Sequence, residues 1–227
     1  MFVDHFATVF LPHNNVVSLV LRTFGRTVAP VMCYFIAQGY FSTSNLKKYT
    51  TRLLIFAAIS HLPYNLAFGY TFFQATSVIW PLAMGLVALT AIRRQDLHIL
   101  VKLIVLALCC AVSIRANWNF VAVLWIVAFG LFHGNFMKQI IAFCVVGIVF
   151  HLALTFNRFG FFHEVFPQWH QLGIFLAIPM LMMYNGKLGK KSKVMSWAFY
   201  VFYPAHLLLL FILNRFTSLA EVLGGLL

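Results

Sequence analysis

The sequence predicts an all-α fold, a polytopic transmembrane helical bundle of about nine helices. Two observations lead to this class. Of the 227 residues, 63% are hydrophobic and only 9% are charged, whereas soluble domains carry roughly a quarter charged residues. Apolar runs recur along the whole length, and no stretch between them has the composition of a soluble domain. Since apolar helices satisfy their own backbone hydrogen bonds in lipid, we expect a single integral membrane domain over residues 1–227.

The helices are expected at the apolar segments. The first, Met1–Leu11, is short and resembles the second half of a span, because a full span needs about 20 residues. The next eight follow in order at Val28–Phe41, Leu53–Phe68, Val78–Ile92, Ile99–Ile114, Phe120–Phe132, Ile140–Phe156, Leu172–Tyr184 and Ser196–Leu213. Several of these are also short for a full span.

The basic residues predict the orientation of the bundle. If the segments cross in strict alternation, one side holds 11 of them: Lys47, Lys48, Arg52, Arg93, Arg94, Lys102, Lys138, Lys187, Lys190, Lys191 and Lys193. The other side holds five: Arg22, Arg26, Arg115, Arg158 and Arg215. Because positive charge is retained in the cytoplasm, the N-terminus is predicted to be cytoplasmic and the C-terminus outside. These short clusters form no continuous basic face, so the net charge of +12 does not indicate nucleic-acid binding.

Two adjacent polar residues interrupt the first apolar segment. The chain has only four carboxylates, and Asp4 lies beside His5 in a run that is otherwise apolar. Ionisable groups in hydrocarbon are costly unless they are paired, and they mark functional sites. A carboxylate beside an imidazole also suits acid–base chemistry, because it orients the ring and raises its basicity.

A second polar stripe lies on the last segment. Tyr200, Tyr203 and His206 follow one another at helical spacing, and Pro204 removes a backbone hydrogen bond there. One interpretation is a cavity in mid-membrane; the other is a buried histidine satisfied by a tyrosine or a carbonyl. Arg22 and Arg26, four residues apart, either extend to the outer headgroups or line a polar cavity with Asp4 and His5.

No metal site is predicted. The nine histidines form no HExxH pattern, and His163, Glu164 and His170 are expected to lie in an outer loop. The four cysteines all lie in apolar segments without a CxxC pair, which is typical of buried structural thiols. The sequence leaves the oligomeric state open.

Several ordered motifs resemble the TraX family of membrane proteins. They are the Asp4-His5 pair, the segment Arg22–Met32 with its GR-x-x-x-P pattern, the stretch Gly39–Leu54 and Ile59–Tyr64, with His61 where the family usually has Gln. Near the C-terminus, Tyr184–Lys187 and Phe199–Leu207 complete the set. The matches span nearly the whole chain in the family's order.

The resemblance implies a multi-pass protein of the bacterial inner membrane that acts as an acyltransferase. It implies transfer of an acetyl group from acetyl-CoA, as co-substrate, to the N-terminal amine of a membrane-held pilin. His5 is then the base, Asp4 orients its ring or stabilises the imidazolium, and His206 is a second catalytic candidate.

The remaining roles follow from the needs of the reaction. Arg22 or Arg26 steadies the oxyanion or neutralises Asp4, and simple pairing of Asp4 with Arg26 is the structural alternative. Tyr200 and Tyr203 are assigned to substrate binding. Phosphate contacts for CoA are assigned to Lys47, Lys48, Arg52 and Lys187, with Arg52 the best placed. Two other functions stay open: a proton-coupled small transporter, and a non-catalytic pilus-assembly factor.

Overall fold

A computed structural model of the chain describes residues 1–12, 15–153, 155, 169–186 and 192–224. Across these residues the regular structure is helical, and the one isolated β-bridge described joins Thr76 to Ala116. The all-α prediction is therefore confirmed for the described part of the chain.

The helices follow the predicted segments closely. The first half of the chain forms α1 (Phe2–Phe10), α2 (Val16–Gly25), α3 (Val28–Ser42), α4 (Leu46–Phe68) and α5 (Ile79–Arg93). The second half forms α6 (Ile99–Val112), α7 (Asn119–Leu131) and α8 (Phe136–Val146), which continues into a π-helical turn at Gly147–Leu152. A 3₁₀ helix at Trp169–Leu176 leads into α9 (Ala177–Met182), and α10 spans Lys193–Gly224.

Helix α2 was missing from the prediction. Asn15 caps it by accepting a hydrogen bond from the Val17 amide at 2.8 Å, and the helix continues almost directly into α3. Arg22 and Arg26 interrupt the apolar run, so hydropathy alone begins the segment too late, at Val28. Both arginines instead lie within one helical stretch, Val16–Ser42, that is long and apolar enough to cross a membrane.

Helix α4 also begins earlier than predicted. The Asn45 side chain accepts from the Lys48 amide at 2.8 Å and caps the helix at its start. Lys47, Lys48 and Arg52 therefore belong to the first turns of α4 rather than to a connecting loop.

The core lies between α5 and α7. Leu82, Leu86 and Leu89 on α5 are fully buried, as are Trp125 and Phe129 on α7. Facing glycines let the two helices approach closely: a Cβ on Gly85 would lie 2.4 Å from Ile126, and one on Gly130 would lie 2.3 Å from Leu89. This centre holds the other helices in place around it.

The outer surface is strongly apolar. Helix α6 exposes Ile99, Leu100, Val101, Leu103, Ile104, Leu108 and Val112, each between 42% and 62% accessible. Apolar surface of this extent is typical of a face that lipid or another protein covers. Two helical stretches of the described chain are long and apolar enough to span a membrane, Val16–Ser42 and Tyr200–Thr217, while the other apolar helices are shorter.

Helices α4 and α10 pack side by side and run in the same direction. Phe56, in the middle of α4, contacts Tyr200, in the first third of α10, with ring centroids 4.9 Å apart. Leu66 and Phe211 line one cavity further along the same two helices. The candidate functional site lies between this parallel pair and α1, which packs beside α10.

Candidate functional site

Two histidines from opposite ends of the chain meet inside the bundle. His5 Nδ1 lies 3.0 Å from His206 Nε2, and the two rings are nearly parallel, at 11°, with centroids 5.3 Å apart. Both residues are only 4% exposed. Helix α1 supplies one imidazole and the middle of α10 supplies the other, so the structure brings together the two predicted catalytic histidines.

The hydrogen bonds assign the tautomers of this pair. His206 Nδ1 lies 2.8 Å from the Phe202 carbonyl oxygen, which can only accept, so Nδ1 carries the proton and Nε2 carries a lone pair. His5 Nδ1 must then donate to His206 Nε2. In the neutral pair, the lone pair of His5 is left on Nε2. His206 thus orients His5 and fixes which nitrogen can act as a base.

Aromatic side chains enclose the histidine pair. Tyr203 meets both rings edge-on, at 6.2 Å from His5 and 5.3 Å from His206. Its hydroxyl accepts a 3.4 Å hydrogen bond from the Val78 amide. Phe68, at the end of α4, packs edge-on against His5 at 5.2 Å. The imidazoles therefore lie between Tyr203 and Phe68, with little access to water.

Contrary to the expectation from sequence, Asp4 does not orient the His5 ring, because the hydrogen-bond partner of that ring is His206. Neighbouring residues on a helix point about 100° apart, so their side chains do not face each other. Asp4 Oδ2 instead lies 3.6 Å from Arg26 Nη1. Asp4 Oδ1 is buried and has no hydrogen-bond partner among the described residues.

Close packing of α1 on α2 sets the place of Asp4. A Cβ added at Gly25 would lie 2.3 Å from the Asp4 Cβ, far inside van der Waals contact. Only glycine allows this approach, which places the carboxylate beside Arg26, the residue that follows Gly25, with Arg22 about one helical turn before Gly25. The guanidinium of Arg22 faces the same region, and its Nε is buried without a partner in the described structure.

Arg26 connects Asp4 to residues that were not predicted to belong to the site. Its Nη2 donates to His170 Nε2 at 3.4 Å, and its guanidinium lies 5.1 Å from the Trp118 ring centroid. Trp118 in turn stacks on His151 at 5.0 Å, and its backbone φ of 68° lies in the left-handed region. His170 was expected in an outer loop but is buried here in the 3₁₀ helix; His163 and Glu164 lie outside the described residues.

An apolar cavity of about 290 Å³ lies between the histidine pair and Arg52, and none of these three residues lines it. Tyr203 and Met1 line it at the histidine end, and Tyr49 and Tyr200 line it at the other. Arg52 lies against these two tyrosines, with its guanidinium 4.8 Å from the Tyr200 ring centroid and 5.8 Å from that of Tyr49. Since Tyr200 and His206 are six residues apart on one helix, the two ends are about 9 Å apart along its axis.

The other predicted cationic residues are placed differently. Lys47 and Lys48 are exposed on the first turn of α4, and neither lines this cavity. Lys187 lies outside the described residues. His61 donates to the Phe72 carbonyl at 2.7 Å. Its role is therefore to hold the loop after α4.

A second small space adjoins the acidic side of the site. Asp4 and His5 face a gap of about 10 Å³ that Gly25 and Trp118 also line, near the lower limit for one water molecule. The larger cavity shares Met1, Val28 and Met32 with this gap. The arrangement thus joins a base, a carboxylate with an unsatisfied oxygen and an apolar access route.

Comparison with known proteins agrees with the resemblance predicted from sequence. The family model described as "TraX protein" matches residues 1–214, which confirms that prediction. One curated relative, "Probable fimbrial assembly protein FimC, serogroup H1" of Dichelobacter nodosus, is 27% identical over 219 residues, covering 92% of this chain and 89% of its own length. No solved structure matches the chain significantly.

Proposed function

The chain belongs to the TraX family, and from this premise we propose that it is a multi-pass inner-membrane acetyltransferase of a pilus system. It transfers an acetyl group from acetyl-CoA to the N-terminal amine of a pilin subunit. The pilus connection is supported by the relative named as a fimbrial assembly protein. The observation that carries the enzymatic part is the buried His5–His206 pair with its fixed tautomers.

The proposed reaction is a direct acyl transfer. The neutral amine attacks the thioester carbonyl carbon, a C–N bond forms, and the C–S bond breaks to release the CoA thiol. His5 Nε2 takes the proton that the amine loses and returns it to the departing sulfur. An α-amino group has a pKa near 8, so a modest base suffices. An acyl-histidine intermediate on the same nitrogen is the other possible route.

His206 stabilises the protonated form of this base. As His5 Nε2 gains a proton, the Nδ1–H of His5 donates more strongly to His206 Nε2, so the second ring shares the positive charge that develops. The Phe202 carbonyl holds His206 in the orientation that this requires. A buried imidazole pair of this kind lets the charge form without bulk water.

Asp4 and Arg26 are assigned to the acceptor side of the reacting centre. Asp4 Oδ1 has no described protein partner, so it can accept a hydrogen bond from the incoming amine. Arg26 limits the cost of burying the carboxylate by pairing with its other oxygen. Arg22, with an unsatisfied Nε in the same region, is assigned to the tetrahedral oxyanion.

The cavity beside Arg52 fits the arm of the acyl donor. Its lining is apolar apart from tyrosine hydroxyls, and a volume of about 290 Å³ is near the lower end of that of ligand pockets. Arg52, held between Tyr49 and Tyr200, has the planar donor geometry that suits a phosphate. Acetyl-CoA would enter from this cytoplasmic end and present its thioester to His5.

Intact-mass analysis of the cognate pilin tests this proposal. We expect the pilin to gain an N-terminal acetyl group when it is co-expressed with the wild-type chain, and to remain unmodified with His5→Ala. Gln95→Ala, a change at an exposed residue of the loop after α5 that lines neither cavity, is the control and should leave acetylation unchanged.

The alternative functions give different results. An assembly factor or a small transporter would leave the pilin unacetylated in every case, and His5→Ala would be as effective in pilus assembly as wild type if the protein only held pilin. Acetylation that persists with His5→Ala would move the base to His206.

A further inference from the structure

A second and larger cavity lies on the other side of the histidine pair. It has a volume of about 450 Å³ and is bounded by the end of α1, the end of α4 and the second half of α10. We call it the outer vestibule. Its polar side chains are Thr8, Tyr70, Asn214 and Arg215, and the rest of its lining is apolar.

Phe68 separates the vestibule from His5. The ring lines the vestibule and also packs edge-on against His5 at 5.2 Å. Tyr64 and Tyr70 pack on the same ring, at 5.0 and 6.1 Å. A single side-chain rotation at Phe68 would therefore connect the vestibule with the histidine pair.

The positions along α10 place the histidines between two entrances. Tyr200 lies at the Arg52 end of the inner cavity, His206 follows about 9 Å further along the helix, and Asn214 and Arg215 lie a further 12–14 Å on, roughly, at 1.5 Å per residue. One cavity thus approaches the pair from each end of the helix. A two-substrate reaction at this pair can receive one substrate from each side.

We propose that the outer vestibule binds the acceptor, as an extended polypeptide segment that ends in a free α-amino group. The assignment rests on the proposed acyltransfer. A polypeptide N-terminus has a single α-amino group, which can pass Phe68 and reach His5. The backbone carbonyl oxygens of the following residues then stay in the vestibule. Asn214 and Arg215 supply donors for those carbonyls or for a nearby carboxylate, and the apolar part of the lining accepts side chains.

A cysteine-protection experiment tests the vestibule without needing catalysis. In a chain whose four cysteines are replaced by alanine, Asn214→Cys is alkylated with a membrane-impermeant maleimide. The probe is a synthetic peptide of the first ten residues of the cognate mature pilin with a free N-terminus. At about twice its Kd this peptide should slow the alkylation about threefold.

Gln74→Cys is the matched control for this experiment. Gln74 is an exposed polar residue of the loop that follows α4 and does not line the vestibule. Its alkylation should be unaffected by the peptide. Equal rates with and without peptide at Asn214→Cys, across a saturating peptide range, would overturn the proposal.

Steady-state kinetics give the second measurement. Arg215→Ala should raise the KM for the pilin peptide about tenfold with little change in the KM for acetyl-CoA, and Arg215→Lys should recover part of the loss. Peptide protection without any acetyl transfer would keep the vestibule and reject the acetyltransferase. Acetyl transfer by Arg215→Ala with an unchanged peptide KM, together with no peptide protection at Asn214→Cys, would keep the acetyltransferase and reject the vestibule as the acceptor site.

Discussion

At the scale of single residues, the paired imidazoles constrain each other's protonation. The Phe202 carbonyl fixes a proton on His206 Nδ1, and the 3.0 Å contact with His5 then leaves one acceptor nitrogen in the neutral pair. The neighbouring ion pair between Asp4 and Arg26 has two proposed and separable roles, in the stability of the fold and in catalysis.

Neutralising both members of this ion pair separates the two roles. Arg26→Gln alone leaves the buried Asp4 carboxylate without its partner and should cost about 3 kcal/mol of stability. Adding Asp4→Asn removes the unpaired charge and should restore most of that stability. We expect the double variant to fold but to acetylate at least about 100-fold more slowly, as measured by thermal unfolding in detergent and by initial rate.

An active double variant would contradict the role given to Asp4. It would show that the carboxylate is present only to pair with Arg26, which is the structural alternative stated from the sequence. The same assays on Arg94→Gln with Asp96→Asn serve as the control, because that ion pair is exposed in a loop far along the chain.

The sequence identified the main residues of the site but not their partners. Asp4, His5 and His206 stand out because polar groups in apolar runs are costly. The contact between His5 and His206 joins residues 201 positions apart, and no local pattern specifies it. His170 and Trp118 were missed for a similar reason, since an aromatic or a histidine near a segment end has many ordinary roles.

At the scale of helices, the contact between α1 and α2 determines where the acidic group lies. Both helices are short, and the glycine at their crossing brings the backbone of α2 against the Asp4 side chain. Sequence patterns found α1 but ended before α2, because two arginines within ten residues reduce the hydropathy of that stretch. The packing of α2 on the 3₁₀ helix compensates for this lower hydropathy. The two backbones approach so closely that a Cβ on Gly173 would lie 2.0 Å from the Thr23 carbonyl oxygen.

Gly25→Ala tests this crossing. The added methyl group would overlap the Asp4 Cβ at 2.3 Å, so the helices must separate at a cost of about 1–3 kcal/mol, part of which the better helix propensity of alanine offsets. We expect a modest loss of thermal stability together with a large loss of acetylation, because Asp4 moves away from Arg26. Both are measured on purified protein.

Gly134→Ala is the matched substitution for comparison. No atom of the described residues lies within 4 Å of the added Cβ there, but the φ of +87° costs an alanine about 1–2 kcal/mol. It should lower stability to a similar degree and leave the acetylation rate intact. Equal losses of rate in the two variants would mean that the crossing at Gly25 has no special relation to the site.

At the scale of the whole molecule, the two cavities and the charge distribution give the bundle a direction. The inner cavity ends near Arg52, a member of the larger basic set of the predicted alternation, and the vestibule ends near Arg215, a member of the smaller set. Under the proposed function, the positive-inside rule predicts an acyl-donor entrance in the cytoplasm and an acceptor entrance outside. Composition was enough to predict the helical class, whereas the cavities depend on which side chains meet across helices.

Two exposed glutamines at opposite ends of the bundle test this direction. Gln74 lies in the loop after α4 and Gln95 in the loop after α5, so they differ mainly in the side they occupy. In the cysteine-free chain, Gln74→Cys should react with an impermeant maleimide in intact spheroplasts, whereas Gln95→Cys should react only after the membrane is permeabilised. The opposite pattern would place Arg52 outside, where no CoA is made, and would exclude acetyl-CoA as the donor through the inner cavity. Reaction of both positions in intact spheroplasts would show that α5 does not cross the membrane, and the multi-pass arrangement would then be wrong.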